Sequence, residues 1–392
     1  MPLTGGTETK YVDDRSTSPG RQQQLKIPRD YPNANPYDTK PGEKPYKLEI
    51  LWRYVFLFAY LHIACVIALF LPITGWQFFI GFLYGFISSF GTTAGAHRYW
   101  AHKCYKATRP LYFILLFLQT VFVQDCVIRW VRNHRIHHKY PDTNADPHNA
   151  SRGFFFSHIG WLMCKRHPDV IKYGRRVDIS DLTSDPVLRF QKKYYFPLAL
   201  FGVFLLPMFL ATYFLEMTFW TAYHWNIFRY MFALNLTFCV NSVSHIWGSK
   251  PFEKDITSTD TYAIGFLTIG EGWHNYHHVY PFDYKCSELS RYWCNPTIFF
   301  IDFFAWLGWA YDLKTVPDEM VRRRVLRTGD GSNRHSKEIK MKHKTSKQLV
   351  ETCTEKYNDE EEERRDRYWG WGDDDMLQED INDTKIIKPK NK

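Results

Sequence analysis

Apolar side chains along this 392-residue chain fall in long blocks. Tyr54–Leu71 contains no Asp, Glu, Lys or Arg, and after a break at Pro72–Gly75 the run Trp76–Ala96 is again uncharged. A third uncharged block covers Tyr194–Leu215, and a fourth, Tyr230–His245, follows the single Arg229. Each approaches the roughly 17–25 residues a bilayer-spanning helix needs, the fourth with Arg229 and its neighbours reaching the interface. Core helices of a water-soluble domain rarely run so far without a charge. The pattern predicts an all-α membrane protein with four spans, at about 52–71, 76–96, 194–215 and 227–245, paired as two hairpins.

Shorter blocks read differently. Leu111–Ile128 holds Gln119, Gln124 and Asp125. If it spanned, the basic segments on its two sides would face opposite compartments, so it is expected to lie in the interface or beneath a cap. Phe154–Met163 and Thr297–Ala310, interrupted by His158 and Asp302, are too short to cross. Residues 1–46 are polar and carry no signal-peptide pattern, which predicts a disordered arm. The folded domain is expected over 47–331. Residues 332–392 form a polar tail, basic at Lys337–Lys347 and acidic at Asp359–Glu363, in which Trp369 and Trp371 of WGWGDDD are suited to docking back on the fold.

Charge orients these blocks. The net +9 is concentrated in Lys40–Arg53, Arg98–Arg109, Arg129–Lys193 and beyond Lys250, whereas the connections PITG and EMTFWTAYHWNIF hold no Lys. Positive segments stay cytosolic, so both termini are expected in the cytosol, with two short lumenal turns. The mean hydropathy of −0.38 averages apolar spans with polar ends. Eight scattered cysteines without a C-x-x-C pair argue against a disulfide scaffold or a cysteine zinc module. Confined to one side of a membrane, the positive charge points to a membrane surface or a phosphorylated ligand rather than to nucleic acid.

Nine of the sixteen histidines gather on that same side. His97 and His102 belong to H-R-Y-W-A-H, His134, His137 and His138 to H-R-I-H-H, and His274, His277 and His278 to H-N-Y-H-H. His245 lies four residues after Asn241 at the end of the fourth block. Residues at i, i+3 and i+4 project from one helix face, so the second and third groups each present three imidazoles. The i, i+5 pair suits a place where the second span ends or unwinds. Imidazole suits iron, zinc, copper or nickel, and nine exceed what one four-coordinate zinc site uses, which implies two metals; redox chemistry then points to iron. A carboxylate di-iron bundle needs two Glu-x-x-His motifs, and only Glu271–His274 is present. His62, His167, His224, His335 and His343 are expected to be ordinary surface or cap residues, while His148 and His158 could orient ligands.

The stretches TAGAHRYWAH (93–102), NHRIHHKYPDTNADPHN (133–149), RGFFFSHIGWL (152–162), NSVSH (241–245) and GEGWHNYHH (270–278) resemble the membrane-bound acyl-CoA desaturases of the stearoyl-CoA type, in pattern the insect members. The resemblance covers roughly 46–331 plus WGWGD. It implies a cytosolic helical cap with a histidine-box di-iron centre on His97, His102, His134, His137, His138, His245, His274, His277 and His278, with Asn241 holding an iron through water. Which ligand serves which iron is left open. It also implies that Gln124, Trp130 and Thr237 shape a kinked acyl tunnel, and that Arg132, Asn133, Lys165 and Arg166 bind the CoA head group. Tyr54 and Asp125 depart from the family, each standing where relatives have Asn. Gly85 occupies a position often filled by Tyr; with Gly81, Ser88 and Ser89 it makes a small-residue face that suits either close helix packing or a deeper tunnel for longer chains. About 35 polar residues are inserted before Trp369. The end, Lys388-Pro-Lys390-Asn-Lys, resembles a retrieval signal for the endoplasmic reticulum.

The expected activity is therefore O2-dependent desaturation of a long-chain acyl-CoA, by default at carbon nine, with two irons and with electrons from cytochrome b5 and its reductase, in the endoplasmic reticulum membrane. No His-Pro-Gly-Gly haem motif is present, so the b5 is expected to be a separate protein. A hydroxylase on the same scaffold, a zinc hydrolase and an inactive lipid-binding protein are the competing readings.

Overall fold

Residues 46–336, 368–376 and 378–388 are described by the computed structural model, and all belong to the unit Pro32–Lys392 into which the chain divides after Tyr31. All of the expected disordered arm except Tyr46, the Lys337–Lys347 and Asp359–Glu363 runs, His343 and all of the terminal signal except Lys388 lie outside these residues.

The first helix, α1 (Trp52–Ala68), buries only the stripe Phe58, Leu61, Ala64 and Ala68, and leaves Phe56, Ile63 and Val66 more than half exposed. In α2 (Gly75–Phe90) the Thr74 hydroxyl accepts from the Gln77 N–H at 3.2 Å while the Gln77 carbonyl oxygen accepts from the Thr74 N–H at 2.9 Å, a reciprocal cap that starts the helix. It does not end where the apolar block ends. It continues through Gly91–Ala101 in wider π-helical turns, so Gly75–Ala101 forms one helix of 27 residues. Close crossing by α3 (Arg109–Phe122) requires Gly91, where a Cβ would lie 2.0 Å from the Gln119 nitrogen.

From α3 the chain turns by 85° into α4 (Val127–Lys139). Val123 (φ 56°) and Asp125 (φ 104°) make the corner, and the Asp125 carboxylate accepts from the Cys126 N–H (2.7 Å) and the Arg129 Nε (2.6 Å). The stretch 111–128, expected in the interface or beneath a cap, thus contains a sharp corner. Tyr195–Phe214 is a 20-residue helix mixing α and π turns. Phe219–Ile246, 28 residues long, begins earlier than the expected fourth span because Thr218 caps it by accepting from the Thr221 N–H. Most of the segment expected as a lumenal turn is therefore helical.

Gly75–Ala101 and Tyr195–Phe214 are long and apolar enough to cross a membrane, and a third crossing arises if the bent α3–α4 pair counts as one broken span. The α1 helix is short for a crossing, and Phe219–Ile246 is diluted by Asn226, Arg229, Asn235 and Asn241. These helices display Phe56, Phe79, Phe82, Phe214 and Trp220 outward, as the turn after α1 does Phe70. Keeping a large apolar side chain in water forgoes roughly 1.5–3 kcal/mol of burial each, and a stable domain has only about 5–15 kcal/mol in total, so these faces fit lipid.

After the long helices the chain forms a set of shorter ones, among them His274–Val279, Pro296–Trp306 and Asp318–Thr328. Two antiparallel ribbons tie it together, β1 (Lys106–Ala107) with β2 (Ala310–Tyr311), and β3 (Leu313–Thr315) with β4 (Lys385–Ile387). The last strand comes from the tail. Tyr368 and Met376 pack in a buried cluster with Phe252, Tyr276 and Phe282, and Trp369 is buried against Ile136.

Candidate metal centre

Nine imidazoles converge in two groups, each with its ligating atoms within 4.8 Å of one another: His97, His102, His134, His138 and His277 in one, His137, His245, His274 and His278 in the other. The spacing explains the division. Helix α4 gives its i, i+4 pair, His134 and His138, to the first group and its i+3 member, His137, to the second; helix His274–Val279 does the reverse, with His274 and His278 in the second and His277 in the first. Each face of three imidazoles thus serves both groups. The i, i+5 pair is placed by the π-turns: the His102 N–H donates to the His97 carbonyl at 3.1 Å, and the two rings meet edge to face 4.8 Å apart.

A second ring of groups aims the nitrogens. His97 Nδ1 donates to Glu271 at 2.7 Å, His137 Nδ1 to Asp146 at 2.7 Å, and His245 Nδ1 to Asp142 at 2.8 Å, while His102 Nδ1 donates to the Trp369 carbonyl. Each leaves Nε2 free to ligate. Burial raises the Glu271 carboxyl, but the buried Arg98 guanidinium and His97 outweigh it and hold it down at about 2. Burial first, then neighbouring imidazoles, pushes His102, His274, His277 and His278 well below the usual histidine range, so they stand neutral, the form a metal requires. His148 lies 3.1 Å from Asp146 and its ring sits beside His137. His158 instead bonds Ser242 and Asn235. His62 and His224 bond carbonyls one turn back in their own helices.

These groups fit a metal ion each. In the second, Nε2 atoms run in a chain: His245 to His274 at 3.0 Å, His274 to His278 at 3.1 Å, His278 to His137 at 3.2 Å. His245 and His137 have committed their ring protons to carboxylates, so the protons of His274 and His278 can make at most two of these three contacts into hydrogen bonds. In the first group, His277 Nε2 faces His97 at 2.9 Å and His138 at 3.0 Å, and one nitrogen cannot donate and accept at once. A shared cation removes the conflict: nitrogens at right angles about 2.1 Å from one ion lie about 3 Å apart.

Below the imidazoles opens a cavity of about 650 Å³, lined at its inner end by His97, His134, His137, His274 and Asn241. Beneath them Trp130 and Thr237 line the wall, joined through Gln124: Trp130 Nε1 donates to Gln124 Oε1 (3.2 Å) and Gln124 Nε2 to Thr237 Oγ1 (2.7 Å). Further on come Ser89, Gly85, Tyr84 and Arg229, then Gln77 and Ile73. Arg229 bonds Asn226 at 2.8 Å and lies 4.7 Å over the Tyr84 ring; a Cβ on Gly85 would sit 3.5 Å from its Cγ. Of the two readings of the small-residue face, Gly85 and Ser89 both border open space.

The fatty acid desaturase family model matches residues 73–298. The chain belongs to the fatty acid desaturase family. It is 44% identical to the acyl-CoA Delta-9 desaturase of Acheta domesticus over 91% of both chains, and 42% identical to the acyl-CoA Delta12-desaturase of that cricket over 91% of this chain and 92% of the other. It is 48% identical to the acyl-CoA Delta(11) desaturase of Trichoplusia ni over 75% of this chain and 85% of that one. The protein is an acyl-CoA desaturase, an oxidoreductase of lipid metabolism.

Outside the cavity of this desaturase, Arg166 Nη1 donates to Asn133 Oδ1 at 3.1 Å, Lys165 pairs with Glu49 at 3.1 Å, and the Arg132 guanidinium lies against Gly174. Asp125, one of the two departures, pairs with Arg129; Tyr54, the other, is covered by Arg53 at 4.8 Å. Sequence reasoning missed Asp142, Asp146, Arg98 and the Trp369 carbonyl. Asp142 and Asp146 stand four apart just after H-R-I-H-H, and Glu271 three before His274, acidic residues close enough to have signalled partners for the imidazoles.

Proposed function

We propose that this desaturase inserts a double bond into a long-chain acyl-CoA, by default between carbons nine and ten. The observation that carries the reading is that both imidazole groups open onto one largely apolar cavity, whose lining residues Trp130 and Thr237 are joined through Gln124. When bound, two iron ions at the imidazole groups would supply oxidation of unactivated methylenes by dioxygen. Overall, two hydrogens leave adjacent carbons, dioxygen is reduced to two waters, and two electrons and two protons come from outside. Relatives with the names Delta-9, Delta(11) and Delta12 leave carbon nine as the default to be tested.

The chain's own residues hold the substrate. The apolar wall takes the acyl tail by burial, worth about 0.8 kcal/mol for each methylene. Gln124, Trp130 and Thr237 fix the bend and with it the carbons beneath the imidazoles. Gly85 and Ser89 leave the far end open to longer chains. Arg132, Asn133, Lys165 and Arg166 hold the CoA phosphates and adenine-side groups at the mouth. Asn241, at the inner end beside the second group, holds an iron through water.

In the same reading, α1, α2, Tyr195–Phe214 and Phe219–Ile246 are four spans in two hairpins, the histidine cap and both termini face the cytosol, and the protein resides in the endoplasmic reticulum. Residues 47–331 are the desaturase domain, with an arm at 1–46 and a tail at 332–392. Cytochrome b5 and its reductase deliver the electrons to the basic cytosolic face. Expression in desaturase-deficient yeast, with mass spectrometry of derivatised lipids, should reveal a new double bond and its position. Oxygenated products without unsaturation would favour a hydroxylase and overturn the proposal.

A further inference from the structure

We propose that Tyr368–Asp373 is a positioning strap that builds the five-imidazole centre and leaves the four-imidazole centre independent of it. This rests on the metal reading above. Among the oriented imidazoles, His97, His137 and His245 lean on carboxylates. His102 leans on a main-chain carbonyl, that of Trp369, 267 positions along the chain.

The same segment holds His102 from two sides. Its Nδ1 donates to the Trp369 carbonyl, and its own carbonyl accepts from the Trp371 N–H at 3.0 Å. Between them Gly370, with φ +148°, passes so close that a Cβ would lie 2.6 Å from His102 Cα. Any side chain there must push the strap off the histidine.

Trp369 anchors the strap. Its buried ring lies 3.9 Å under the Arg135 guanidinium, which pairs with Asp181 at 2.8 Å and donates to the carbonyls of Trp100 (2.8 Å) and Ala101 (3.1 Å), the two residues before His102. Asp373 closes the turn: it accepts from the Trp369 N–H and from Lys139 Nζ, both at 2.8 Å, and Lys139 directly follows His138. His102 and His138 are both in the five-imidazole group. The four-imidazole group takes its orientation from Asp142 and Asp146 on the loop after α4; among the described contacts the strap reaches its side through the Tyr368 hydroxyl, which donates to the Val279 carbonyl (3.0 Å) and to no imidazole, so Trp369→Ala and Gly370→Val leave that contact's own side chain in place. Losing the strap should therefore free one ligand and loosen a second at one centre only.

The test is a count of metal sites on the purified full-length chain, stripped of metal and titrated with cobalt(II), whose absorption bands report ligand geometry. Wild type should take up two ions. Trp369→Ala and Gly370→Val should keep one tight site and weaken the other about 10–100-fold, the range for lost outer-shell partners. Trp369→Phe, which keeps a ring under Arg135, should restore both. Two undisturbed sites in Trp369→Ala and Gly370→Val would overturn the strap. Loss of both sites would overturn it too, since the segment would then be a general support of the fold. A wild type that binds no cobalt would overturn the metal reading itself, a result distinct from either.

Discussion

The histidine cap and the cavity beneath it meet at His97, His134, His137 and His274, yet they are built on opposite principles. In the cap, chemistry resides in rare side chains, and partners hold several of them: Glu271, Asp142, Asp146 and Trp369 each fix an imidazole. Such a network is cooperative, and one missing member leaves buried polar atoms unpaired. In the cavity most of the wall is apolar, with Phe, Leu, Ile and other types that any membrane helix uses, and the polar groups are a minority, among them Thr237 and Trp130, joined through Gln124, and Arg229 with Asn226. Damage to the cap should be all-or-none and blind to substrate. Damage to the cavity should be graded and should depend on acyl length.

The largest effect should come from His137→Ala. It removes one of four nitrogens from the second group while Asp146 keeps His148 as a partner. Desaturation in complemented yeast should fall to background for every chain length, with protein levels on immunoblots unchanged. Retained turnover would remove His137 from the reacting centre.

Next in size is Asp142→Asn. Asp142 accepts from His245 Nδ1 and Thr257 Oγ1, and from the Ala150 N–H at 2.6 Å. An amide there cannot be relied on to take the imidazole proton, so the ring turns or changes tautomer. Activity should drop by about 10–100-fold, by the same factor for short and long acyl-CoAs. A length-dependent loss would blur the contrast between cap and cavity.

Acidification tests the cap without mutation. His102, His274, His277 and His278 are held below the ordinary histidine pKa by burial first and then by one another. Above that ordinary value both folded and unfolded chains keep them neutral. Below it the unfolded chain takes up protons that the folded one excludes, so stability is lost as pH falls through about 6.5 and downward. Thermal unfolding of the metal-stripped protein in detergent should steepen with more than one proton linked to it. A slope near zero would mean these imidazoles already carry charge in the fold.

Legibility followed the same division. The histidine spacings marked the cap because i, i+3, i+4 runs of imidazole have few other uses, and the uncharged blocks located Gly75–Ala101 and Tyr195–Phe214. Spacing alone could not reveal that each run divides between two groups, because that depends on α4 facing helix His274–Val279 across the site. Nor could it reveal the π-turns of Gly91–Ala101, which replace the expected end of a span, or the Trp369 carbonyl, a main-chain atom that any residue would supply. The fourth block was read too short because Arg229 looked like an interface residue; it turns inward to Asn226 and Tyr84 instead.

Gly85→Tyr should have the smallest effect on total turnover and the most informative one on its distribution. A Cβ at position 85 makes ordinary contact with Arg229 Cγ at 3.5 Å, so the backbone tolerates a side chain, but a phenol ring must occupy cavity space or displace the guanidinium. Products from the shortest accepted chains should persist, and those from the longest should decline, since each methylene denied burial forgoes about 0.8 kcal/mol, close to fourfold in specificity. Gly85→Ala, which adds only the tolerated Cβ, should leave the profile near wild type. Pairing Gly85→Tyr with Arg229→Met, a side chain of similar reach without the charge, then asks which group bounds the cavity. If the long-chain products return in the double variant, Arg229 yields the space; if they stay low, the ring itself is the stop. An unchanged profile in Gly85→Tyr would mean that the acyl tail never reaches this level of the cavity, and the contrast between a cap blind to chain length and a cavity that measures it would fail.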